Sequence, residues 1–356
     1  MTRINIVPTV RGVGGMVSFE RRLSKGFQTL GIEVTRGFET RGSDGMLVIG
    51  GTRNLFALWR AKKSGIRIVQ RLNGMNWLHR KLKTGYSHFL RAEFGNLLLR
   101  IIRSSIADHI VYQSRFAQNW WERSFGMLEK PSTIIYNGVD LTKYSPRGED
   151  PRSGQKPSQS RDCSRPRDVF RILMVEGSLM GGYEMGLRVA AQLLSKLNED
   201  FDSDLNRTVE LVVVGKVPEE IRREWAAEVN FPLTFTGQVE PEEIPCFDKG
   251  AHLLYSADIN AACPNAAIEA LACGTPVLGF DTGALGEIVA DLSGRVVPYG
   301  GDPWKLESPD ITGLASGAVE LLLNQGTYRE GARKRAEEKF DLDQMVKAYR
   351  EVIFQS

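Results

Sequence analysis

The stretch ACPNAAIEALACGTPVLGFDTGALGEIV, residues 262–289, combines a helix start, a small-residue helix and a strand interrupted by glycine. Pro264 and Asn265 are typical of a helix N-terminus, and the apolar residues after them predict that the helix is buried. The first amides, at Asn265, Ala266 and Ala267, have no acceptor within such a helix. Together with the helix dipole, which stabilises an anion by about 0.3–2 kcal/mol, they predict a binding site for a diphosphate.

The same stretch contains one acidic residue on its helix, Glu269, one turn beyond the N-terminus. A carboxylate at this position repels phosphate but accepts hydrogen bonds from a pair of ribose or sugar hydroxyls. Gly274 predicts the end of the helix, and residues 277–280 predict a short buried strand.

The order of residues in this stretch resembles glycosyltransferase family 4, the retaining enzymes of GT-B fold, in which a helical Glu is followed by Ala-Leu-Ala-x-Gly-x-Pro-Val. Three other stretches resemble the family at the matching places in the chain: residues 134–140 with 144–146, residues 235–239 with 243–245, and residues 301–303. The resemblance implies an enzyme that transfers a hexose from a nucleotide diphosphate sugar to an acceptor hydroxyl, with retention and without a metal. It also implies an α/β fold of two Rossmann-like, doubly wound parallel-sheet domains that face a central cleft.

Short apolar strands alternate with helices along the chain, as a doubly wound sheet requires. We expect an acceptor-side domain over residues 1–146, a polar linker over 147–169, a nucleotide-sugar domain over 170–335, and a C-terminal helix within 336–356 that packs on the first domain. The predicted strands are 4–7, 32–35, 46–49, 66–71, 109–113 and 132–136 in the first domain, and 171–175, 209–214, 233–236, 252–255, 277–280 and 295–297 in the second.

The sequence departs from the family pattern at the diphosphate. Relatives carry an Arg and a Lys after the first strand of the second domain, where this chain has Ser178 and Gly182. They also carry the first Glu of a pair where this chain has Ala261, eight residues before Glu269. Two lost cations correspond to about 3–6 kcal/mol of phosphate binding. We expect the donor to be bound instead by Arg11, Gly177, Ser178, Gly181, Gly182, Lys216, Val239, Pro264, Asn265, Ala266 and Ala267, with Glu269 at the sugar or ribose hydroxyls.

The acceptor side is predicted from two segments of the first domain. The Gly14-Gly15 loop follows the first strand and lets backbone approach a substrate, or is simply a tight turn. Asn73 stands where relatives often place a His; it cannot take a proton but can orient the acceptor hydroxyl, so the leaving phosphate would accept the proton. His79 is a nearby alternative to Asn73, but a lone His beside Trp77 and Leu78 more often has a structural role.

Charge is divided between the two halves of the chain: residues 1–146 contain 23 Lys and Arg against 9 Asp and Glu, whereas residues 147–356 contain 23 against 34. The basic half indicates an anionic partner, or an attraction between the halves. Residues 77–103 interleave basic and bulky apolar residues, which indicates peripheral contact with an anionic membrane or a core helix with a solvated basic face. We therefore expect a nucleotide diphosphate sugar as donor and a lipid-linked or other glycan as acceptor, and no nucleic acid.

Other classes of protein are less consistent with the sequence. A weakened GT-B chain that serves as a binding partner is the main alternative, and an NAD-dependent dehydrogenase is remote because Val17 replaces the third glycine of its fingerprint. No cofactor is expected, nor a metal, since the Asp202-Ser203-Asp204 segment does not close an apolar strand. The four cysteines form no Cys-x-x-Cys pair, which predicts reduced thiols. Without a leader or an apolar run of membrane length, we expect a cytoplasmic protein, peripheral at the inner face of the membrane.

Overall fold

The computed structural model describes residues 2–10, 12, 14–83, 85–146, 165–180 and 184–354. The chain forms two compact units: unit 1 is Met1–Gly138 with Phe340–Ser356, and unit 2 is Val139–Lys339. Arg11, Gly181 and Gly182, which we expected at the diphosphate, lie outside the described residues.

Unit 1 contains, within its described residues, a parallel sheet of six strands in the order β2-β1-β3-β4-β5-β6. The strands are β1 Arg3–Val7, β2 Glu33–Thr35, β3 Gly45–Ile49, β4 Arg67–Leu72, β5 His109–Tyr112 and β6 Ser132–Ile134. The helices along this part of the chain are α1 Gly15–Thr29, α2 Leu55–Lys63, α3 Tyr86–Ile101 and α4 Arg115–Phe125. A 3-10 turn spans Leu78–Arg80, and a π-helical turn, Ile102–Ile106, follows α3.

The central strands of unit 1 are buried on both faces, as parallel strands covered by helices require. One face packs on α1 through Phe19, Leu23 and Phe27, and the other packs on Leu58 of α2 and Trp121 of α4. This packing explains why β3 is an unbroken apolar run instead of an alternating pattern.

Unit 2 contains a second parallel sheet, again of six strands in its described residues, in the order β12-β11-β10-β7-β8-β9. The strands are β7 Val169–Ser178, β8 Thr208–Lys216, β9 Leu233–Gly237, β10 Leu253–Tyr255, β11 Val277–Phe280 and β12 Gly294–Val297. The helices are α5 Glu184–Asp200, α6 Asp202–Leu205, α7 Glu219–Glu228, α8 Ile244–Gly250, α9 Asn265–Ala272, α10 Leu285–Ile288, α11 Ile311–Leu323 and α12 Gln325–Lys339, with a 3-10 turn at Asp291–Ser293.

The strand order of unit 2 reverses between β7 and β10. The chain runs from β7 through β8 to β9 on one side, and then from β10 through β11 to β12 on the other. In an open parallel sheet, ligands bind beyond the carboxyl ends of the strands at such a reversal. We therefore expect a ligand of unit 2 to bind at the loops that follow β7 and β10.

The last helix, α13 Leu342–Phe354, belongs to unit 1. It packs on α1, where a side chain on Gly26 would lie 2.3 Å from Val346, and it adds Tyr349 and Ile353 to the core beside the sheet. The ring of Tyr349 lies 5.3 Å from that of Phe19 between centroids.

The expectation of four reduced thiols is wrong at Cys246, which is bonded in a disulfide. Cys263 and Cys273 are free and buried, and Cys163 lies outside the described residues. The spacing of cysteines along a sequence does not reveal which of them approach each other in space, so the sequence pattern could not predict this bond.

Candidate functional site

The N-terminus of α9 lies at the end of the loop that follows β10. Pro264 is extended, no side chain caps the terminus in the described structure, and the first helical hydrogen bond runs from the Ile268 amide to the Pro264 carbonyl at 3.4 Å. The amides of Ala266 and Ala267 therefore precede the first helical bond, at the positive end of the helix dipole. This arrangement can bind an anion.

Glu269 lies in the second turn of α9 and is only 8% exposed. Its charge acts on Asp248 of α8, a fully buried carboxyl with no hydrogen-bond partner for either oxygen. Burial, and to a lesser extent the Glu269 carboxylate, raise the pKa of Asp248 well above its usual range. Asp248 therefore favours its neutral, protonated form over a wider pH range than an exposed carboxyl does.

The end of β7 places Glu176, Gly177 and Ser178 at the reversal of strand order. Gly215 of β8 has a φ of +144°, and a side chain there would lie 1.9 Å from the Glu176 carbonyl, so only glycine allows the two strands to approach. Lys216 pairs in register with Ser178, and its carbonyl accepts the Leu179 amide at 2.9 Å. The exposed Lys216 side chain thus belongs to the same end of the sheet as Ser178.

The remaining donor residue that we predicted, Val239, lies two residues beyond β9 and is half-buried. In the strand order, β9 lies at the sheet edge, two strands from β7. Ala261, at the position of the family's first Glu, accepts the Ala284 amide through its carbonyl at 2.8 Å. Its side chain contributes no polar group to the site.

The acceptor residue predicted in unit 1, Asn73, follows β4 directly. Its side-chain oxygen accepts hydrogen bonds from Arg71, at 2.7 Å, and from the Gln113 amide, and its carbonyl accepts the Trp121 indole N–H at 2.8 Å. Arg71 also donates to Asn137 at 2.9 Å. Asn73 is thus held rigidly, and its NH₂ group is the part that it can offer to a substrate.

This cluster was not predicted beyond Asn73. Arg71 is 1% exposed, and its guanidinium lies 3.7 Å from the centre of the Phe19 ring, which is the geometry of a cation–π contact. The signal was present in the sequence, because Arg71 is the penultimate residue of β4 and Gln113 follows β5, and neighbouring parallel strands end at the same edge of a sheet. Gly14, with a φ of +128°, and Gly15 open α1 after β1, at the reversal between β1 and β3.

His79 is buried and pairs with Glu93 of α3 at 2.7 Å. Arg80 bonds the same carboxylate at 2.5 Å, and these bonds lower the pKa of Glu93 to about 2, with Arg80 as the largest cause. This bonding supports a structural role for His79, since it holds the 3-10 turn against α3.

Large apolar side chains are exposed on α2 and along most of α3. We call them the aromatic surface; its exposed members are Phe56, Trp59, Tyr86, Phe89, Leu90, Phe94 and Leu97. Phe56 is 70% and Tyr86 is 79% exposed. Basic residues accompany it, with Arg53 at 5.9 Å from the Phe94 ring and Lys63 at 5.6 Å from the Trp59 ring. No helix in the described part of the chain is both long and apolar enough to cross a bilayer.

Two family models match the chain over most of its length. The model of group 1 glycosyl transferases matches residues 171–324, and the model of glycosyltransferase family 4 matches residues 49–143. The chain belongs to the group 1 glycosyltransferases of family 4. The sequence prediction of the family is confirmed.

Curated relatives of this chain are distant. It is 29% identical over 199 residues to the GDP-mannose-dependent α-(1-6)-phosphatidylinositol dimannoside mannosyltransferase of Mycobacterium tuberculosis, an alignment that covers 52% of this chain and 44% of the relative. Across the curated relatives that it matches, the chain spans 35% to 55% of their length.

Solved structures match this glycosyltransferase over nearly its whole length. Sucrose-phosphate synthase from Thermosynechococcus elongatus superposes with a TM-score of 0.70 at 15% identity, over 99% of both chains. The Anabaena protein HepE, solved with UDP-glucose, gives 0.67 at 15% identity, again over 99% of both chains. These similarities confirm the predicted GT-B class, with its two parallel-sheet domains.

Proposed function

We propose that this chain transfers a hexose from a nucleoside diphosphate sugar to an acceptor hydroxyl, with retention of anomeric configuration and without a metal ion. The observation that carries the proposal is α9, whose N-terminal amides suit a diphosphate and whose buried Glu269 suits the hydroxyls beside it. The Anabaena relative binds UDP-glucose and the mycobacterial relative depends on GDP-mannose, which supports a nucleotide sugar as donor.

The proposed chemistry needs no base on the acceptor side. Asn73 would orient the acceptor hydroxyl with its NH₂ group, and the leaving diphosphate would accept the proton on the same face of the sugar. The amides of α9, with Lys216 at the end of β8, would stabilise the charge that develops on the leaving group. Gly14 and Gly15 would let backbone approach the substrate in unit 1, as Gly177 and Ser178 would in unit 2.

A donor screen tests this proposal. The purified chain is incubated with UDP-glucose, UDP-N-acetylglucosamine and GDP-mannose in the presence of EDTA, and release of the nucleoside diphosphate is measured with and without glycolipid acceptors. Release that continues in EDTA, with a product anomer matching the donor by NMR, supports the proposal. Nucleotide binding without release from any donor would favour the alternative, a weakened chain that acts as a binding partner; Ala261 and the missing cations are the features behind that alternative.

We also propose that the acceptor is a glycan borne on a lipid, and that unit 1 contacts an anionic membrane through the 77–103 segment. The protein would then be cytoplasmic and peripheral at the inner face of the membrane. The aromatic surface supports this proposal, since large apolar side chains accompanied by Lys and Arg suit the interface of an anionic bilayer. The surface also includes α2, which the sequence prediction did not contain.

Vesicle sedimentation tests the membrane contact. Binding should require acidic lipid and decrease as salt rises from about 0.05 to about 0.5 M. Neutralising Arg80, Lys81 and Lys83 together should weaken partitioning by about 30-fold, since each free basic residue contributes about 1 kcal/mol and Arg80 is already paired with Glu93. Equal binding to neutral and acidic vesicles, or none to either, would contradict the contact.

A further inference from the structure

Two carboxyl groups meet where the strand order of unit 2 reverses. Glu176 lies near the end of β7, and Asp258 lies three residues beyond β10. The two strands are parallel neighbours, with Leu253 opposite Ile172. Burial and the charge of Asp258 raise the pKa of Glu176 to about 8, and burial also raises the pKa of Asp258. The negative charge of Asp258 opposes the ionisation of Glu176, so the two carboxyls tend to keep a proton between them.

No basic side chain of the described residues forms a hydrogen bond or ion pair with either carboxyl. The titratable groups that the described structure places around them are Tyr255 of β10 and Lys216 of β8. The Glu176 charge contributes to raising the pKa of Tyr255. Lys216 contacts the end of β7 through its backbone carbonyl, which accepts the Leu179 amide, and its ammonium forms no bond there in the described structure. The negative charge of the two carboxyls is thus reduced by a retained proton and not by a bonded cation.

Two further polar atoms near the pair have no partner. The Ser178 hydroxyl oxygen, two residues after Glu176, and the Asn260 amide nitrogen, two residues after Asp258, are both buried without a hydrogen bond. Asn260 is 4% exposed and has a φ of +61°. A buried donor without a protein partner costs about 1–3 kcal/mol unless a bound polar group or a water accepts from it, so both atoms can serve a polar ligand.

The loop that carries Asp258 and Asn260 continues directly into Pro264 and the N-terminus of α9. Asp258 therefore belongs to the loop that leads directly to the place that the proposed function assigns to the donor diphosphate. Two ionised carboxylates would repel that diphosphate, whereas a carboxylic acid donates a hydrogen bond to it. A retained proton would thus remove one of the two negative charges and supply a hydrogen-bond donor at the place where relatives have Arg and Lys.

We propose that Glu176 and Asp258 keep one proton between them when the donor binds, and that the protonated carboxyl donates a hydrogen bond to an oxygen of the donor's diphosphate. This inference rests on the proposed function. The proton stays on the carboxyl pair throughout binding, and the partner carboxylate remains free to accept from a donor hydroxyl. Donor affinity then depends on pH in a defined direction, because the binding form is lost as pH rises through the raised pKa of Glu176.

Calorimetric titration with UDP, GDP and ADP in EDTA, between about pH 7 and about pH 9, tests this inference. ADP is the reference ligand, because adenine does not ionise over that range, whereas uracil and guanine begin to lose a ring proton at its upper end. The affinity of the parent protein should fall about tenfold between about pH 7 and about pH 9. Glu176→Gln cannot ionise but can still donate through its amide, so its affinity should stay constant over this range and exceed that of the parent at high pH. Glu228→Gln, on an exposed part of α7, is the matched control and should keep the parent's pH dependence.

The outcomes separate this inference from the proposed function. If none of the three nucleotides binds at any pH, both fail. If a nucleotide binds the parent with an affinity that does not change with pH, this inference alone fails. It also fails if omitting EDTA and adding Mg²⁺ restores affinity at high pH in the parent but not in Glu176→Gln, since the pair would then bind a cation. If Glu176→Gln does not fold, the pH dependence of the parent and of Asp258→Asn decides the question.

Discussion

Replacement of Glu269 by Ala gives the sharpest test of the donor site. A hydrogen bond to a charged group contributes about 1.5–3 kcal/mol, and the value rises where water is excluded. Glu269 is 8% exposed, so its bonds to donor hydroxyls would be formed in a largely dry environment, and we expect a loss of about 2–3 kcal/mol. Since 1.4 kcal/mol corresponds to a factor of ten, Glu269→Ala should raise the nucleotide Kd by about 30- to 150-fold.

The assay is calorimetric titration of the folded variant with the nucleoside diphosphate that binds the parent most tightly. Glu269→Gln keeps the volume of the side chain and two hydrogen-bonding groups but removes the charge, so it should lie between the parent and the Ala variant. Glu228→Ala, on the exposed face of α7, controls for a general effect of removing a carboxylate from unit 2. Unchanged affinity in a folded Glu269→Ala protein would mean that α9 does not bind the donor.

Three further predictions follow from the site and its surroundings. The double variant Lys216→Ala, Arg11→Ala should bind nucleoside diphosphate at least tenfold more weakly, and affinity equal to the parent's in the same titration would exclude both as substitutes for the missing cations. Asp248→Asn should gain thermal stability over the parent as pH rises above about 4, because the unfolded chain ionises Asp248 there and the folded chain does not; a Tm difference that is constant with pH would refute the raised pKa. Replacing Phe56 and Tyr86 by Ser should cost about 3 kcal/mol of vesicle partitioning, or about a hundredfold, without weakening nucleotide binding; unchanged sedimentation would exclude the aromatic surface from the membrane contact.

The fold was predictable from the sequence because its strands are short and bounded by polar or glycine residues. All twelve predicted strands occur in the described structure within a few residues of their predicted bounds, including 277–280 and 252–255. The position of each strand can be found from a short window of sequence, because a strand between two helices in a doubly wound sheet is apolar on both faces. The exposure of α2 was not predictable in this way, because Phe56 and Trp59 are the residue types that a buried helix would also carry.

The candidate site was only partly accessible to sequence reasoning. The start of α9 was recognised because capping residues and small residues follow a local pattern. The hydrogen-bond partners of Asn73 were not recognised, because Arg71 and Gln113 come together only through the pairing of β4 with β5. Glu176 and Asp258 are similarly brought together by β7 and β10, which lie some eighty residues apart in the chain. Local patterns predict elements, and contacts between distant strands require the topology.

The return of α13 to unit 1 has a consequence for how the chain acquires its structure on the ribosome. Unit 1 lacks the surface that covers Phe19 and Phe27 until all of unit 2 and then α13 have been synthesised. Unit 2 is continuous in sequence, so it can fold during synthesis, whereas unit 1 must wait with apolar residues uncovered. Nascent chains of this protein would therefore expose a chaperone-binding surface on the first-made part of the molecule, and the part made first would be the last to be completed.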